Sequence, residues 1–274
     1  ITSDRNVGAR TNGRRTEKAC RGKYVAYCEG DDYWHHPLKL QKQVDYMEAH
    51  PECGVVHSDA DIYYVNTGQR VSCYNRSRDK VNRRLHAEGW NQEQLFARIL
   101  DHSYRVISCT TCFNRGIMNS VLGTDPVVFE SDRFMMGDTP RWLEMARVTR
   151  FGYLDEALAT YQRVPRSMTC RDDGQKWMEF RLSIYDMVVY YARKYGCTDR
   201  SVAEFADMQA KALLSMCFEH RNAAIARQVA SIRGRLSPRQ QVLYWGTVSP
   251  VFHAVLWPVV RSYQAVRGMF APLH

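Results

Sequence analysis

The sequence predicts an α/β domain followed by a helical extension. Three observations carry this reading. Apolar runs of strand length alternate with helical patterns over roughly residues 1 to 170, one such run ends in a dense acidic turn, and strand patterns cease from about residue 174. With 274 residues and 45% hydrophobic content, the chain is large enough for one big domain or a domain with an appendage. The expected division is 1–170 for the α/β part and 171–274 for the helical part.

The opening "ITSDRNVGAR" reads as the tail of a short strand running into a loop, and because residue 1 is Ile, the start of a longer protein is expected to lie upstream. Residues 12 to 21 are expected to be helical, and "KYVAYC" is a buried strand of aromatic and β-branched residues. After the acidic turn, Pro37 suits a first helical position, and Leu40, Val44 and Met47 recur at helical spacing until His50-Pro51. "CGVVHSDADIYYV" is a second strand, and residues 70 to 84, with five Arg and one Lys, read as an exposed loop or loose hairpin. "GWNQEQLFARILD" is helical, "YRVISCTTCFNR" a strand, and "RGIMNSVLG" a short helix closed by Gly123. Further on, Trp177, Phe180, Ile184, Val188 and Tyr191 share one helical face, and Ser237, Pro238 and Gln240 form a capping-box start to another helix.

Thirty-eight Lys plus Arg against twenty-nine Asp plus Glu give a formal charge of +9, which favours polyanions, phosphorylated ligands or anionic lipid. Nine cysteines without framework spacing, and no signal peptide or long charge-free apolar stretch, point to reduced thiols inside a cell. Phosphate-binding glycine loops of the dinucleotide and P-loop types are absent from the sequence, which argues against those chemistries.

The chemistry concentrates in "YVAYCEGDDYWHHPLKLQKQ", where Glu29, Asp31 and Asp32 follow a strand and precede a helix. The C-terminal end of a strand in an α/β sheet is where ligands bind. Mg²⁺ or Mn²⁺ prefers oxygen donors and uses one or two carboxylates plus substrate phosphates, which Asp31 and Asp32 can supply. A solvated acidic turn that caps the following helix is the plainer alternative.

The stretch "RGKYVAYCEGDDYWHHPLKLQKQVDYMEAHPE" closely resembles the segment around the metal-binding motif of family 2 glycosyltransferases, with His36 where an Asp is common. The resemblance continues upstream through Asn6, Gly8, Asn12, Arg15 and Thr16 and downstream to "FMMGDTPRWLEMARVTRFGYLDEALATYQRVPRSMT". It implies a GT-A fold: a Rossmann-like mixed sheet with flanking helices that binds a nucleotide-diphosphate sugar. It also implies N-terminal truncation, since family members begin with a strand, a helix and a second strand ahead of this segment. A sheet lacking them would expose an unpaired edge.

Site roles follow from the same resemblance. Gly137 and Asp138, followed by Trp142 and Leu143, occupy the place of the family's catalytic base, so Asp138 is the expected base. Asp31 and Asp32 hold the metal, and Glu29 meets the donor ribose or the metal shell. Asn6, Gly8, Asn12, Arg15, Arg163 and Arg166 fall on donor-binding segments, the last two facing the diphosphate. The implied reaction is a metal-dependent, inverting transfer to a hydroxyl of a glycan or lipid-linked acceptor in cell-envelope polysaccharide synthesis.

Other features read more plainly. Cys109 and Cys112 form a CxxC that is read as buried strand cysteines, while Thr110 or Thr111 borders the acceptor by resemblance. His35, His36, His57 and Asp59 are read as hydrogen-bonding residues. The segment from 242 to 270, aromatic and Arg-bearing but broken by Pro250 and Pro258, suits peripheral contact with a membrane or packing on the catalytic domain. The resemblance and this segment together imply a cytoplasmic location, peripheral on the inner face of the plasma membrane, with no nucleic-acid partner expected. Two rival readings use the same features: a metal-dependent phosphoesterase or nucleotidyltransferase, and a basic nucleic-acid- or lipid-binding module with a structural acidic turn.

Overall fold

The structure is a computed structural model that describes residues 4–78, 91–129, 131–165 and 174–258. It divides into two compact units, Ile1–Cys170 and Arg171–His274.

Unit 1 is a mixed α/β layer built around one long strand. Helix α1 (Ala9–Ala19) leads to strand β1 (Tyr24–Ala26), helix α2 (Lys39–Ala49) and β2 (Cys53–Tyr64). Then come β3 (Gln69–Val71), α3 (Tyr74–Arg78), α4 (Gln92–Leu100), a 3₁₀ turn (Ser108–Thr110) and β4 (Cys112–Asn114). Helices α5 (Arg115–Val121), α6 (Pro126–Phe129) and α7 (Thr139–Val148) precede β5 (Arg150–Arg163). β2 is buried over nearly its whole length because it has neighbours on both edges: β5 runs parallel along one, while β4 and β3 lie antiparallel on the other. β1 pairs antiparallel with β4, so β1, β2 and β5 all point the same way. Among the described residues, no strand pairs with the other edge of β1.

Strand alternation assigns the two faces. Ala26, Cys112 and Val56 align across the sheet, and with Met47 they form the cluster beneath α2. Gly152 on β5 belongs to this face, where a Cβ would come within 2.2 Å of the Tyr46 ring. On the opposite face Val25, Phe113 and Val55 align, and Trp142 of α7 sits against Phe113 with ring centroids 6.0 Å apart. The sheet is thus flanked by helices on both faces.

Two sequence expectations are corrected. Helix α2 begins at Lys39, beyond Pro37, and buries Lys39, Gln43 and Met47, while Leu40 is 42% exposed. The polar pair is satisfied internally: Lys39 Nζ donates to Gln43 Oε1 at 2.8 Å and lies 4.5 Å from the Trp34 ring centre, and Gln43 Nε2 donates to the Thr110 carbonyl at 2.6 Å. The segment expected to be one strand from Tyr104 to Arg115 is strand only over Cys112–Asn114. Thr110 Oγ1 and Thr111 Oγ1 donate to the carbonyls of Ile107 and Ser108, both at 2.7 Å, and hold a 3₁₀ turn instead.

Unit 2 is helical: α8 (Gly174–Lys194), α9 (Arg200–His220), α10 (Ala223–Arg233) and α11 (Pro238–Val248), with residues 250–258 also helical. Asp199, Asn222 and Ser237 cap α9, α10 and α11, the last through a full capping box with Gln240. Tyr185, Val188, Tyr191, Leu213, Leu214 and Phe218 are buried in its core. No described helix is long and apolar enough to cross a membrane.

Candidate functional site

The acidic turn sits where β1 and β5 end. A backbone bond from Asp32 to the Glu29 carbonyl (3.0 Å) closes the turn, and Tyr33 bridges Thr160 on β5 in antiparallel fashion. Asp32 Oδ1 accepts the Gln162 amide N–H at 2.8 Å, and the Gln162 side chain donates to the Asp31 carbonyl. Beneath the turn, Trp34 Nε1 donates to the carbonyls of Cys109 (2.9 Å) and Tyr27 (3.2 Å). The turn is therefore held by β5 through Asp32 and the Asp31 carbonyl and by the 3₁₀ turn through Trp34, and not by the following helix, whose N-cap is Leu38.

Asp138 joins them from a distant part of the chain. It caps α7, accepting from the Thr139 N–H at 2.7 Å, while Ser108 Oγ donates to its other oxygen at 3.0 Å. Ser108 also lies close enough to the Glu29 carboxyl to favour its charged form. Burial, with repulsion from Asp32 and Asp138, pushes the Glu29 pKa up to about 7 against the pull of its hydrogen bonds. Glu29 as a whole is exposed, so this acidic group is open to solvent. Burial likewise raises Asp32, opposed by the bonds from Gln162 and the Cys109 thiol and reinforced by Asp31.

Glu17 of α1 ties the surrounding elements together. Its carboxylate accepts from Tyr27, just beyond β1, and pairs at 2.6 Å with Arg141 in the first turn of α7. The Arg141 guanidinium lies 5.4 Å from the Tyr27 ring centre. α1, the end of β1 and the helix that presents Asp138 are thereby fixed to one another.

The remaining expected residues are placed as follows. Asn6 Oδ1 accepts from the Gly8 N–H at 2.9 Å, Gly8 has φ 78 ahead of α1, and its carbonyl accepts from Asn12. Asn6, Gly8 and Asn12 bond within their own segment and not to the acidic turn, and Arg15 is half-buried on α1. Arg163 is exposed at the end of β5, next to Gln162, and 5.9 Å from the Tyr64 ring centre. Arg166 lies outside the described residues, as do positions 79 to 84 of the basic loop.

Thr110 and Thr111 are fully buried with their hydroxyls committed to the backbone, so neither is open to an acceptor. His35 bonds Thr160 and the Ala157 carbonyl, both at 2.9 Å, and His36 accepts from the Leu38 N–H. Asp59 accepts the backbone N–H groups of Ala60, Asn75 and Arg76, anchoring α3. Cys109 and Cys112 are buried free thiols, and burial pushes Cys112 up to about 11. Sequence reasoning missed Glu17, Trp34, Ser108, Arg141 and Gln162. Trp34 lies within the acidic motif and Gln162 beside Arg163, but neither position assigns a role.

The oxygen donors of Asp31 and Asp32 suit a hard cation, while the upward pull on Asp32 comes chiefly from its burial, with Asp31 adding a smaller repulsion. Among the described residues, no group of three or more His, Cys, Asp or Glu is placed to enclose a metal ion. Two carboxylates would have to be supplemented by substrate phosphates and water.

No protein-family model matches the chain. It is 45% identical over 64 residues to proteins described only as uncharacterized, from Mycobacterium bovis and from two strains of Mycobacterium tuberculosis. The match covers 23% of this chain and 18% of the length of each relative.

Proposed function

We propose that unit 1 is a GT-A-type domain of a family 2 glycosyltransferase, moving a sugar from a nucleotide-diphosphate donor to a hydroxyl of a glycan or lipid-linked acceptor. The observation that carries this is the meeting of two acidic motifs far apart in sequence: Asp138 of α7 lies near enough to Glu29 of the acidic turn to raise its pKa, and Ser108, which donates to Asp138, stands beside both. The carboxylates stand at the C-terminal ends of the parallel strands β1 and β5, where an α/β sheet receives ligands.

Asp31 and Asp32 would hold Mg²⁺ or Mn²⁺, which when bound neutralises charge developing on a diphosphate leaving group. Asp138 accepts from the Thr139 N–H and, at 3.4 Å, the Thr139 hydroxyl on one oxygen, and from Ser108 alone on the other, which leaves that second oxygen a lone pair to take the proton of the attacking hydroxyl. One in-line displacement with that base inverts the anomeric centre. Arg163, exposed beside Gln162, would meet donor phosphate oxygens. The proposed setting is cell-envelope polysaccharide synthesis at the cytoplasmic face of the plasma membrane.

Calorimetric titration of UDP and GDP, with and without Mn²⁺, tests the reading on the wild type and on Asp32→Asn. Binding that requires both the metal and Asp32 is expected. Nucleotide binding indifferent to Mn²⁺ and to Asp32→Asn would overturn it, and steeply salt-dependent binding of nucleic acid instead would favour the basic binding module. A phosphoesterase would share the metal dependence but would not need Asp138.

A further inference from the structure

Unit 2 presents a surface that its own core does not account for. α11 buries Gln240, Gly246 and Thr247, while Val242 and Trp245 are 52% and 53% exposed. The helical residues 250–258 are oriented by ring packing: the rings of His253 and Trp257 lie, tilted, 4.8 and 5.8 Å from that of Phe218. Gly246 permits this packing, since a Cβ there would fall 2.7 Å from the Phe218 ring. With His253 and Trp257 turned inward, Val251, Phe252 and Val255 remain outside, 73%, 54% and 66% exposed.

The charge around this surface has one sign. From residue 221 to residue 258 the chain carries five arginines and no Asp, Glu or Lys. Arg233 is paired with Asp207 at 2.7 Å, whereas Arg221, Arg227, Arg235 and Arg239 are exposed. Arg235 and Arg239 stand at the start of α11, the helix that bears Val242 and Trp245.

We propose that this face of unit 2 docks on an anionic lipid bilayer. Val251, Phe252, Val255 and Trp245 enter the boundary between headgroups and acyl chains, and Arg235 and Arg239 meet lipid phosphates. Exposed aliphatic and aromatic side chains beside arginine, with no acidic residue to repel anionic headgroups, are what an interfacial helix needs. A second copy of the same face is a poor occupant, because pairing would bring like charges together. No described helix is long and apolar enough to cross a bilayer, and the proposed contact lies in the plane of the surface. This inference concerns unit 2 and stands apart from the reading of the acidic site.

The test is sedimentation of the full chain with phosphatidylglycerol-rich and with pure phosphatidylcholine vesicles, at low salt and at about 1 M NaCl, where the Debye length is about 3 Å. The comparison includes the double variants F252E/V255E and R235E/R239E, whose circular dichroism and melting should match the wild type. Binding to the anionic vesicles is expected to be at least about tenfold tighter than to neutral ones, and each double variant is expected to lose about tenfold. Should F252E/V255E fail to fold, V251S at the most exposed position carries the test, with weaker binding expected. Equal binding to both vesicle types, absence of vesicle binding, or variants that bind like the wild type would each overturn the proposal. A dimer that F252E/V255E dissolves, without vesicle binding, would replace lipid with a second copy.

Discussion

Ser108 holds Asp138 by a 3.0 Å hydrogen bond to the oxygen that the helix cap does not use. Both oxygens are thereby fixed, and the carboxylate has a single orientation. A hydrogen bond to a charged group is worth about 1.5–3 kcal/mol. Ser108→Ala should therefore lower kcat for sugar transfer about ten- to a hundredfold with the donor KM little changed, and Ser108→Thr should restore most of it. Steady-state kinetics of the three proteins decides this, and an unchanged kcat in the alanine variant would remove Ser108 from the positioning of Asp138.

Asp32 and Asp138 should separate binding from chemistry. A ligand at about 100 times its Kd stabilises a protein by about 2.7 kcal/mol. Mn²⁺ with UDP should thus raise the melting temperature of the wild type and of Asp138→Asn, but not of Asp32→Asn. Removal of a general base costs about 10²- to 10⁴-fold, which Asp138→Asn should show in kcat. Thermal shift and turnover measured on the same preparations check both halves.

The Glu17–Arg141 pair is largely buried, with side chains 14% and 18% exposed. Glu17→Leu leaves Arg141 without its carboxylate and Tyr27 without its acceptor. Breaking a buried pair costs about 3–5 kcal/mol, while replacing both partners with apolar residues is often close to neutral. Urea unfolding should accordingly show Glu17→Leu strongly destabilised, and Glu17→Leu/Arg141→Met largely recovered.

Lys39 gives the fold a pH dependence of known sign. Burial lowers its pKa from 10.5 to about 8, so between these values the unfolded chain holds a proton that the folded chain does not. This contribution makes stability rise with pH across that window, and below pH 8 the burial cost is complete, of order 3 kcal/mol. The stability of Lys39→Met relative to wild type should therefore be highest near pH 7 and decline as pH rises from 8 towards 10. Denaturant melts across that range measure it, and a pH-independent difference would contradict the shift.

Gly152 should tolerate no side chain while Tyr46 is present. The Cβ of Gly152→Ala would stand 2.2 Å from the Tyr46 ring, and overpacking of this kind costs about 1–3 kcal/mol. Tyr46→Ala should make the second substitution nearly neutral, a coupling that a double-mutant cycle measures directly.

Much of the layer order was legible because apolar runs announce strands: "CGVVHSDADIYYV" became β2 within one residue. The face of α2 was not, since apolar spacing selected Leu40, which is 42% exposed, over Lys39, which is 1% exposed. A buried lysine that finds a glutamine, a carbonyl and an aromatic ring leaves no apolar mark in the sequence. The same holds at the site. Glu29, Asp32 and Asp138 could be chosen as residue types on a resemblance, and Asp32 and Asp138 stand close enough to Glu29 to raise its pKa. Ser108 and Gln162 could not, because a serine in a 3₁₀ turn and a glutamine near a strand end acquire their roles only when distant segments meet.

The parallel alignment of β2 with β5 also governs how the chain can assemble. Cys53 stands opposite Arg150 and Tyr64 opposite Arg163, so the central ladder cannot form until everything between the two strands has been made and folded back. Pairings of this long range slow folding. A nascent chain leaving the ribosome would hold β2 with one edge bare until β5 emerges, and the acidic turn would have no Gln162 to receive it before then. The site is therefore among the last parts of unit 1 to acquire its shape.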